Sequence, residues 1–181
     1  MEIGSRARSG NSYREWFPAG IDYVGLDVSS GRNVDVVGDA HEMPISRRFD
    51  HMFSVSVFEH LLMPWKVALE MNRCMNDGGT ALIVSHASFP LHDEPWDFWR
   101  FSKEAWRGIF NAHTGFDVME AHYRYPASIV PRYVSDNGFE GLYSAPGFLT
   151  SGCLVKKIGE PKVQWGAKVS DVFDVQYTHG V

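Results

Sequence analysis

Short apolar segments alternate along this chain with segments of helical pattern, and this alternation constrains the fold more than any other feature. The strand-like segments are brief, rich in apolar and β-branched residues, and bounded by turn residues such as glycine and aspartate. Helices are predicted from Pro64 to Asn76 and from Ser102 to about His113. The predicted strands are Met1–Ile3, Tyr23–Leu26, Val34–Val37, His51–Ser56, Thr80–Ser85, Asp117–Tyr123 and Phe148–Lys156.

This order of elements predicts one α/β domain, because strand–helix–strand connections produce a parallel sheet with covered faces. The expected fold is a Rossmann-like, doubly wound, mostly parallel sheet with helices on both faces and an antiparallel last strand. The domain is expected to span residues 1–160, with a loop or insert at 126–147, where Pro, Gly, Ser and Asn are frequent. Residues 161–181 are predicted to be a tail, either disordered or an arm used in oligomerisation, which would fit a homodimer.

Composition argues against several classes of protein. The 181 residues carry a net charge of −5 and no long Lys/Arg run, which disfavours a nucleic-acid binder. Cys74 and Cys153 have no C-x-x-C spacing and are typical of reduced, buried cysteines in a cytoplasmic protein. No apolar stretch reaches 18 residues and no signal-peptide pattern is present, so no membrane association is expected. The chain starts almost directly on a strand, so either that strand is very short or an upstream segment is missing.

Ligands of parallel α/β sheets bind at the carboxyl ends of the strands, so the residues that follow each strand are candidate site residues. Gly4 would let the backbone turn sharply and approach a ligand. Asp27 either accepts hydrogen bonds from a ribose or caps the next turn. Asp39 either accepts from an adenine amine or is an ordinary turn residue. The recurrence of acidic and glycine turns at these ends predicts a site for a nucleoside-containing cofactor.

Several motifs together extend this prediction to a family. The chain resembles the class I S-adenosylmethionine-dependent methyltransferases, in the type 11-like group, over about its first two-thirds. The segments that carry the resemblance are Glu2-Ile3-Gly4, Gly25-Leu26-Asp27, Gly38-Asp39-Ala40, Phe49–Leu61 with its Val-Phe-Glu-His-Leu motif, Arg73–Gly79 and Trp96–Ser102.

The resemblance implies S-adenosylmethionine as cofactor, S-adenosylhomocysteine as product, and a role for each matching residue. The implied roles place Glu2 and Gly4 under the methionine portion, Asp27 on the ribose, Val28 against the adenine, Asp39 and Ala40 on its amine and ring, Ser56 and Val57 beneath the sulfonium, and Glu59 and His60 at the pocket floor. One feature departs from the family, whose first loop usually has closely spaced glycines where this chain has Arg6 and Arg8. These arginines either close over the cofactor carboxylate or crowd the site.

Methyl transfer to an amine or hydroxyl also needs a proton acceptor, and histidine is the usual one. His86, at the end of the fifth strand, and His92, in the loop after it, are the candidate catalytic residues; each could equally be a wall residue. His60 is expected to pack and hydrogen-bond beneath the loop. The spacing of His86, His92, Asp93 and Glu94 matches no standard zinc pattern, so no metal site is predicted.

The leading hypothesis is a methyltransferase that acts on a small or medium acceptor molecule at oxygen or nitrogen. The alternative is a methyltransferase-like subunit without catalysis, which serves as a binding or scaffold protein. A short dehydrogenase is disfavoured because the chain lacks Gly-x-Gly-x-x-Gly after its first strand and lacks Tyr-x-x-x-Lys.

Overall fold

Seven strands form one sheet in the order β3-β2-β1-β4-β5-β7-β6. The computed structural model describes residues 1–8, 10, 12–130, 141 and 144–174. Neighbouring strands are parallel from β3 to β5, and β7 is antiparallel to both β5 and β6. The predicted doubly wound, mostly parallel sheet with an antiparallel last strand is therefore confirmed. The strands are β1 (Glu2–Ile3), β2 (Gly25–Asp27), β3 (Val36–Val37), β4 (Phe49–Val55), β5 (Met75–His86), β6 (Phe116–Ala127) and β7 (Gly147–Lys157).

The two predicted helices are present, each ending earlier than predicted, and a third α-helix among the described residues follows β7 in the predicted tail. They are α1 (Pro64–Arg73), α2 (Lys103–Ile109) and α3 (Val169–Val172), with 3₁₀ turns at Tyr13–Trp16, Ala40–Glu42 and Phe58–His60. Pro64 opens α1, where its missing N–H costs nothing. The Ser102 hydroxyl caps α2 by accepting a hydrogen bond from the Ala105 N–H at 3.3 Å.

The two faces of the sheet are covered differently. The side chains of Ala81 and Ile83 on β5 are buried, and Val67 and Met71 of α1 belong to the same core. On the alternate positions of β5, Leu82 is 46% exposed. Over β4 that second face is covered by the 3₁₀ turn Tyr13–Trp16 and by aromatic rings that pack against Phe53. These rings are Tyr13, Phe17 and Tyr23, each with its centroid within 6.2 Å of that of Phe53.

The boundary between α1 and β5 differs from the prediction, which extended the helix to Asn76 and started the strand at Thr80. The helix ends at Arg73, and Met75 already pairs with Phe49 of β4. Met75 is fully buried in the strand, and it would be buried in a helix as well. The apolar pattern of the sequence therefore cannot distinguish a helix from a strand at this position. The predicted glycine turn is present, since Gly78 has φ +79° and the pairing register shifts there.

The tail after residue 160 lies against the domain as far as it is described. Trp165 Nε1 contacts Met63 Sδ at 3.2 Å, and Lys66 Nζ donates to the Ala167 carbonyl at 2.7 Å. The Phe173 ring packs edge-on against Trp96.

Most of the predicted loop at 126–147 and the last seven residues of the tail fall outside the described residues. Across the described part of the chain, none of the helices has the length and apolar character needed to cross a membrane.

A buried lysine closes the end of α1 where the helix meets the sheet. The Lys157 side chain is fully buried, and its Nζ donates to the Asn72 carbonyl at 3.1 Å and the Met75 carbonyl at 3.3 Å. The same Nζ lies 3.1 Å from Glu160 Oε1. A cation at this end of a helix also interacts favourably with the helix dipole.

Lys157→Met is expected to lower the free energy of unfolding by about 2–3 kcal/mol, because it leaves buried carbonyls without their donor. Urea denaturation measures the change. The matched control is Lys156→Met, which alters the adjacent, exposed lysine on the same strand and should change stability by no more than about 0.5 kcal/mol. Equal losses in the two variants would contradict this role for Lys157.

Candidate active site

A cavity of about 490 Å³ lies at the carboxyl ends of β1, β2 and β4 and beside the turn that follows β3. This volume is within the usual range for a small-molecule or cofactor site. All eight residues predicted to bind the cofactor line it, although the sequence places them in four separate segments. They are Glu2, Gly4, Asp27, Val28, Asp39, Ala40, Ser56 and Val57.

The turn after β1 depends on Gly4, which has φ +77°. A Cβ built on Gly4 would overlap the side chain of Val57, which follows β4. The backbone of the first loop can therefore reach the turn after β4 only because this residue has no side chain. The sharp turn predicted at Gly4 is thus present, and the group that it approaches is Val57; its approach to a ligand stays a prediction.

Asp27 uses both carboxylate oxygens in local hydrogen bonds. Oδ2 accepts from the Arg6 N–H at 3.0 Å, and Oδ1 accepts from the Ser29 N–H at 2.9 Å. The capping interpretation of Asp27 is therefore correct as far as the local contact goes. A carboxylate oxygen has a second lone pair, so each can still accept from a ligand hydroxyl in the cavity that Asp27 lines.

Asp39 caps the 3₁₀ turn after β3. Its Oδ1 accepts from the His41 N–H at 2.8 Å and lies 2.6 Å from His41 Nδ1. Burial opposes ionisation of Asp39, but the hydrogen bonds from His41 outweigh it and hold the pKa of the carboxyl below its usual value. The Met63 N–H approaches His41 Nε2 at 3.1 Å, which places the proton of the imidazole on Nδ1. Asp39 is thus an ionised acceptor at the cavity wall.

Comparison with known proteins agrees with this geometry. Residues 2–83 match a family model described as a methyltransferase domain. Among solved structures, a predicted methyltransferase from Bacillus halodurans is similar, with 17% identity, a TM-score of 0.61, and coverage of 88% of this chain and 92% of that chain. An S-adenosylmethionine-dependent methyltransferase from Archaeoglobus fulgidus has 18% identity and a TM-score of 0.59, with 86% and 84% coverage.

The chain therefore has the fold of S-adenosylmethionine-dependent methyltransferases. A third similar structure is the predicted methyltransferase from Haloferax volcanii that was solved in complex with the Trm112 methyltransferase activator. It has 18% identity and a TM-score of 0.56, with 91% of this chain and 82% of that chain covered. A search of curated proteins gave no match.

At the part of the cavity next to β1, the buried Glu2 belongs to a polar network that the sequence did not predict. Its Oε2 accepts from the Tyr23 hydroxyl and from Asn33 Nδ2, the latter at 2.8 Å. Burial raises the pKa of the Glu2 carboxyl despite these hydrogen bonds. Asn33 also donates to the Ser5 carbonyl at 2.9 Å, so it holds the loop after β1 in place. In the sequence, the signal that could have pointed to Asn33 is an asparagine in the turn between two strands. Asparagine tolerates positive φ better than most residues, and Asn33 has φ +72°.

The two arginines of the first loop differ in their contacts. Arg8 makes a bidentate salt bridge with Asp93, at 2.5 and 3.2 Å, and so joins the loop after β1 to the loop after β5. Arg6 lines the cavity, and its guanidinium makes no hydrogen bond or ion pair with the described residues. Both arginines lie on the cavity wall, yet about 490 Å³ remains open, so they do not fill the site.

The two predicted catalytic histidines come together, but not on the cavity wall. His86 is 7% exposed, stacks on Phe89 at 4.0 Å, and has Nδ1 2.9 Å from Glu59 Oε1. The His92 ring lies 5.1 Å from that of His86. The described residues that line the cavity include neither of them, and their catalytic role remains a prediction.

His60 lines the cavity and also behaves as the sequence predicted. Its Nδ1 lies 2.5 Å from the Trp96 carbonyl, a hydrogen bond to the loop after β5. The other members of the wall that come from this loop are Asp93 and Trp96. The wall of the cavity thus includes residues from the strand ends and residues from the loop after β5.

The overlap between Gly4 and Val57 generates a stability prediction. Gly4→Ala is expected to cost about 3 kcal/mol or more of unfolding free energy, because it combines positive φ with a clash. Gly10→Ala is the control for φ alone: Gly10 has φ +83°, and no described atom lies within 4 Å of a Cβ built there. It should cost about 1–2 kcal/mol.

Thermal and urea unfolding of both variants give the comparison. Adding Val57→Ala to Gly4→Ala should recover about 1–2 kcal/mol, since it removes the overlapping methyl groups. Strictly additive losses in this double variant would show that the clash is not the cause.

Proposed function

We propose that the chain binds S-adenosylmethionine in the cavity and transfers its methyl group to oxygen or nitrogen of a small or medium acceptor molecule. When bound, this cofactor supplies a methyl group already activated by a sulfonium. The acceptor oxygen or nitrogen would take this methyl group, S-adenosylhomocysteine would be the product, and the proton of the acceptor would pass to a nearby base or to water. The main task of the protein is then to position the two reactants.

One observation carries this proposal: the eight strand-end residues converge on a single cavity within a fold of this family. Two further features fit the cofactor. Gly4 leaves room where any side chain would collide with Val57. Arg6 lies on the wall, its guanidinium has no anionic partner among the described residues, and a carboxylate is the group that it would bind best.

Within the cavity, the residues divide between the two ends of the cofactor. Asp27 would accept from the ribose hydroxyls with the lone pairs not used by Arg6 and Ser29. Asp39, kept ionised by His41, would accept from the adenine amine, with Ala40 and Val28 against the ring. Arg6 would bind the carboxylate of the methionine portion, near Gly4.

Calorimetric titration with S-adenosylmethionine and S-adenosylhomocysteine tests binding directly. Binding of neither molecule at millimolar concentration would refute the proposal. A screen of small hydroxyl and amine acceptors, with S-adenosylhomocysteine release as readout, then tests transfer. If the chain binds the cofactor tightly but no acceptor leads to release of S-adenosylhomocysteine, the alternative is supported, namely that the chain is a non-catalytic binding or scaffold subunit.

The two ends of the site can be separated by variants and ligands. Asp27→Ala should weaken S-adenosylhomocysteine binding about 10- to 100-fold, because it removes hydrogen bonds to a charged acceptor. It should weaken 5′-methylthioadenosine, which keeps the ribose but lacks the amino acid portion, by a similar factor. Asp117→Ala removes an exposed aspartate on β6 and serves as the matched control, with less than a twofold change expected.

Arg6→Gln should show the opposite selectivity. It is expected to weaken S-adenosylhomocysteine about tenfold and 5′-methylthioadenosine less than twofold, since only the first ligand has a carboxylate. Calorimetry at one salt concentration measures all four constants. An equal loss for both ligands would mean that Arg6 shapes the loop and does not bind the carboxylate.

A further inference from the structure

A buried carboxylate oxygen and a buried imidazole nitrogen face each other behind the cavity. Glu59 is fully buried and His86 is 7% exposed. Glu59 Oε1 lies 2.9 Å from His86 Nδ1, yet neither atom has a hydrogen bond of acceptable geometry within the described part of the chain. The other oxygen, Oε2, accepts from the Ser85 hydroxyl at 2.5 Å. Within the described residues each of these two buried atoms has only the other as a close polar neighbour, so both are open to a further partner that contacts them together.

A third group completes the arrangement. One nitrogen of His92 and the ligand atoms of Glu59 and His86 all lie within 4.8 Å of one another. His92 Nδ1 lies 3.0 Å from the Pro90 carbonyl, a contact in which Nδ1 carries the proton and Nε2 keeps its lone pair. A backbone carbonyl that orients the imidazole in this way is the usual support of a metal-binding histidine.

We propose that Glu59, His86 and His92 bind one divalent transition metal ion, with Zn²⁺ as the reference ion. Two imidazole nitrogens and one carboxylate oxygen suit Zn²⁺ and its neighbours and do not suit Mg²⁺ or Ca²⁺. Ligand atoms at about 2.0–2.1 Å from a tetrahedral Zn²⁺ are about 3.3–3.5 Å apart. To admit the ion, the Glu59 and His86 atoms would separate by about 0.5 Å, and the His92 nitrogen would move closer to them by at most about 1.5 Å. Three protein ligands leave one position for water or another group.

The acid next to this cluster does not compete for the ion. Asp97 accepts from both guanidinium nitrogens of Arg100, at 2.6 and 2.9 Å, and from the His92 N–H at 3.0 Å. Asp97 is therefore already paired with a cation and with a backbone N–H, whereas Glu59 Oε1 has no hydrogen bond within the described residues. This difference places the ion on the Glu59 side of His92.

The three ligands belong to three segments: the turn after β4, the end of β5, and the loop that follows it. An ion there would fix the loop that contributes Asp93 and Trp96 to the cavity wall. The inference does not depend on methyl transfer, because it concerns residues that do not bind the cofactor under the proposed function.

The test uses tag-free protein freed of metal with a chelator. Titration calorimetry with Zn²⁺ should show one equivalent bound with a dissociation constant of micromolar or lower. Co²⁺ should give the visible absorption bands of a four- or five-coordinate site, which is a readout independent of enzyme activity. Failure to bind either ion stoichiometrically overturns the proposal.

Variants assign the ligands. His92→Ala, at a half-buried loop position, should fold normally and weaken Zn²⁺ at least 100-fold, as should Glu59→Gln if it folds. His113→Ala removes an exposed histidine outside the cluster and is the matched control, with less than a twofold change. An equal affinity of the His92 and His113 variants contradicts the assignment. Titration with S-adenosylhomocysteine on the same samples keeps the metal result separate from cofactor binding.

Discussion

The close contact between the Gly4 backbone and the Val57 side chain is the constraint on which the site depends. β1 has only two residues, and it pairs with β2 on one side and β4 on the other. The Ser54 hydroxyl donates to the Ile3 carbonyl at 3.1 Å and adds a side-chain link between β1 and β4. Because the strands are parallel, the turns that follow them emerge at one edge, and Gly4 lets two of these turns touch. The cavity is the space that remains beside this contact.

The sequence was sufficient for the parts of the structure that follow from strand ends. Asp27 and Asp39 could be placed in one site because each follows an apolar strand, and the order of strands puts those ends together. The sequence was insufficient where one apolar pattern fits both a helix and a strand, as it does for Met75 at the start of β5. It also missed the approach of Glu59 to His86, since a spacing rule compares residues within one segment and these two lie in different ones.

The arginines of the first loop show how one departure from a family pattern can have two separate effects. Arg8 turns outward to Asp93 in an exposed salt bridge, which contributes little to stability but connects two loops across the cavity. Arg6 stays at the wall, where its backbone N–H supports Asp27. The loop itself is held by the Ala7 N–H, which donates to the Arg32 carbonyl at 3.1 Å. Backbone hydrogen bonds thus hold this loop without closely spaced glycines, and a guanidinium becomes available for an anion.

The loop after β5 depends on the same two residues that form the buried pair. The N–H groups of Phe98 and Trp99 both donate to the Glu59 carbonyl, at 2.8 and 3.1 Å, and the Phe101 N–H donates to the His86 carbonyl at 2.7 Å. A change in the side chains of this pair, by protonation or by an ion, therefore acts on residues whose backbone holds the loop. That loop supplies part of the cavity wall, and in folds of this kind the loops commonly carry the residues that select a ligand. We therefore expect that a change at the Glu59 and His86 side chains, such as binding of an ion, alters recognition of an acceptor molecule through the backbone of this loop.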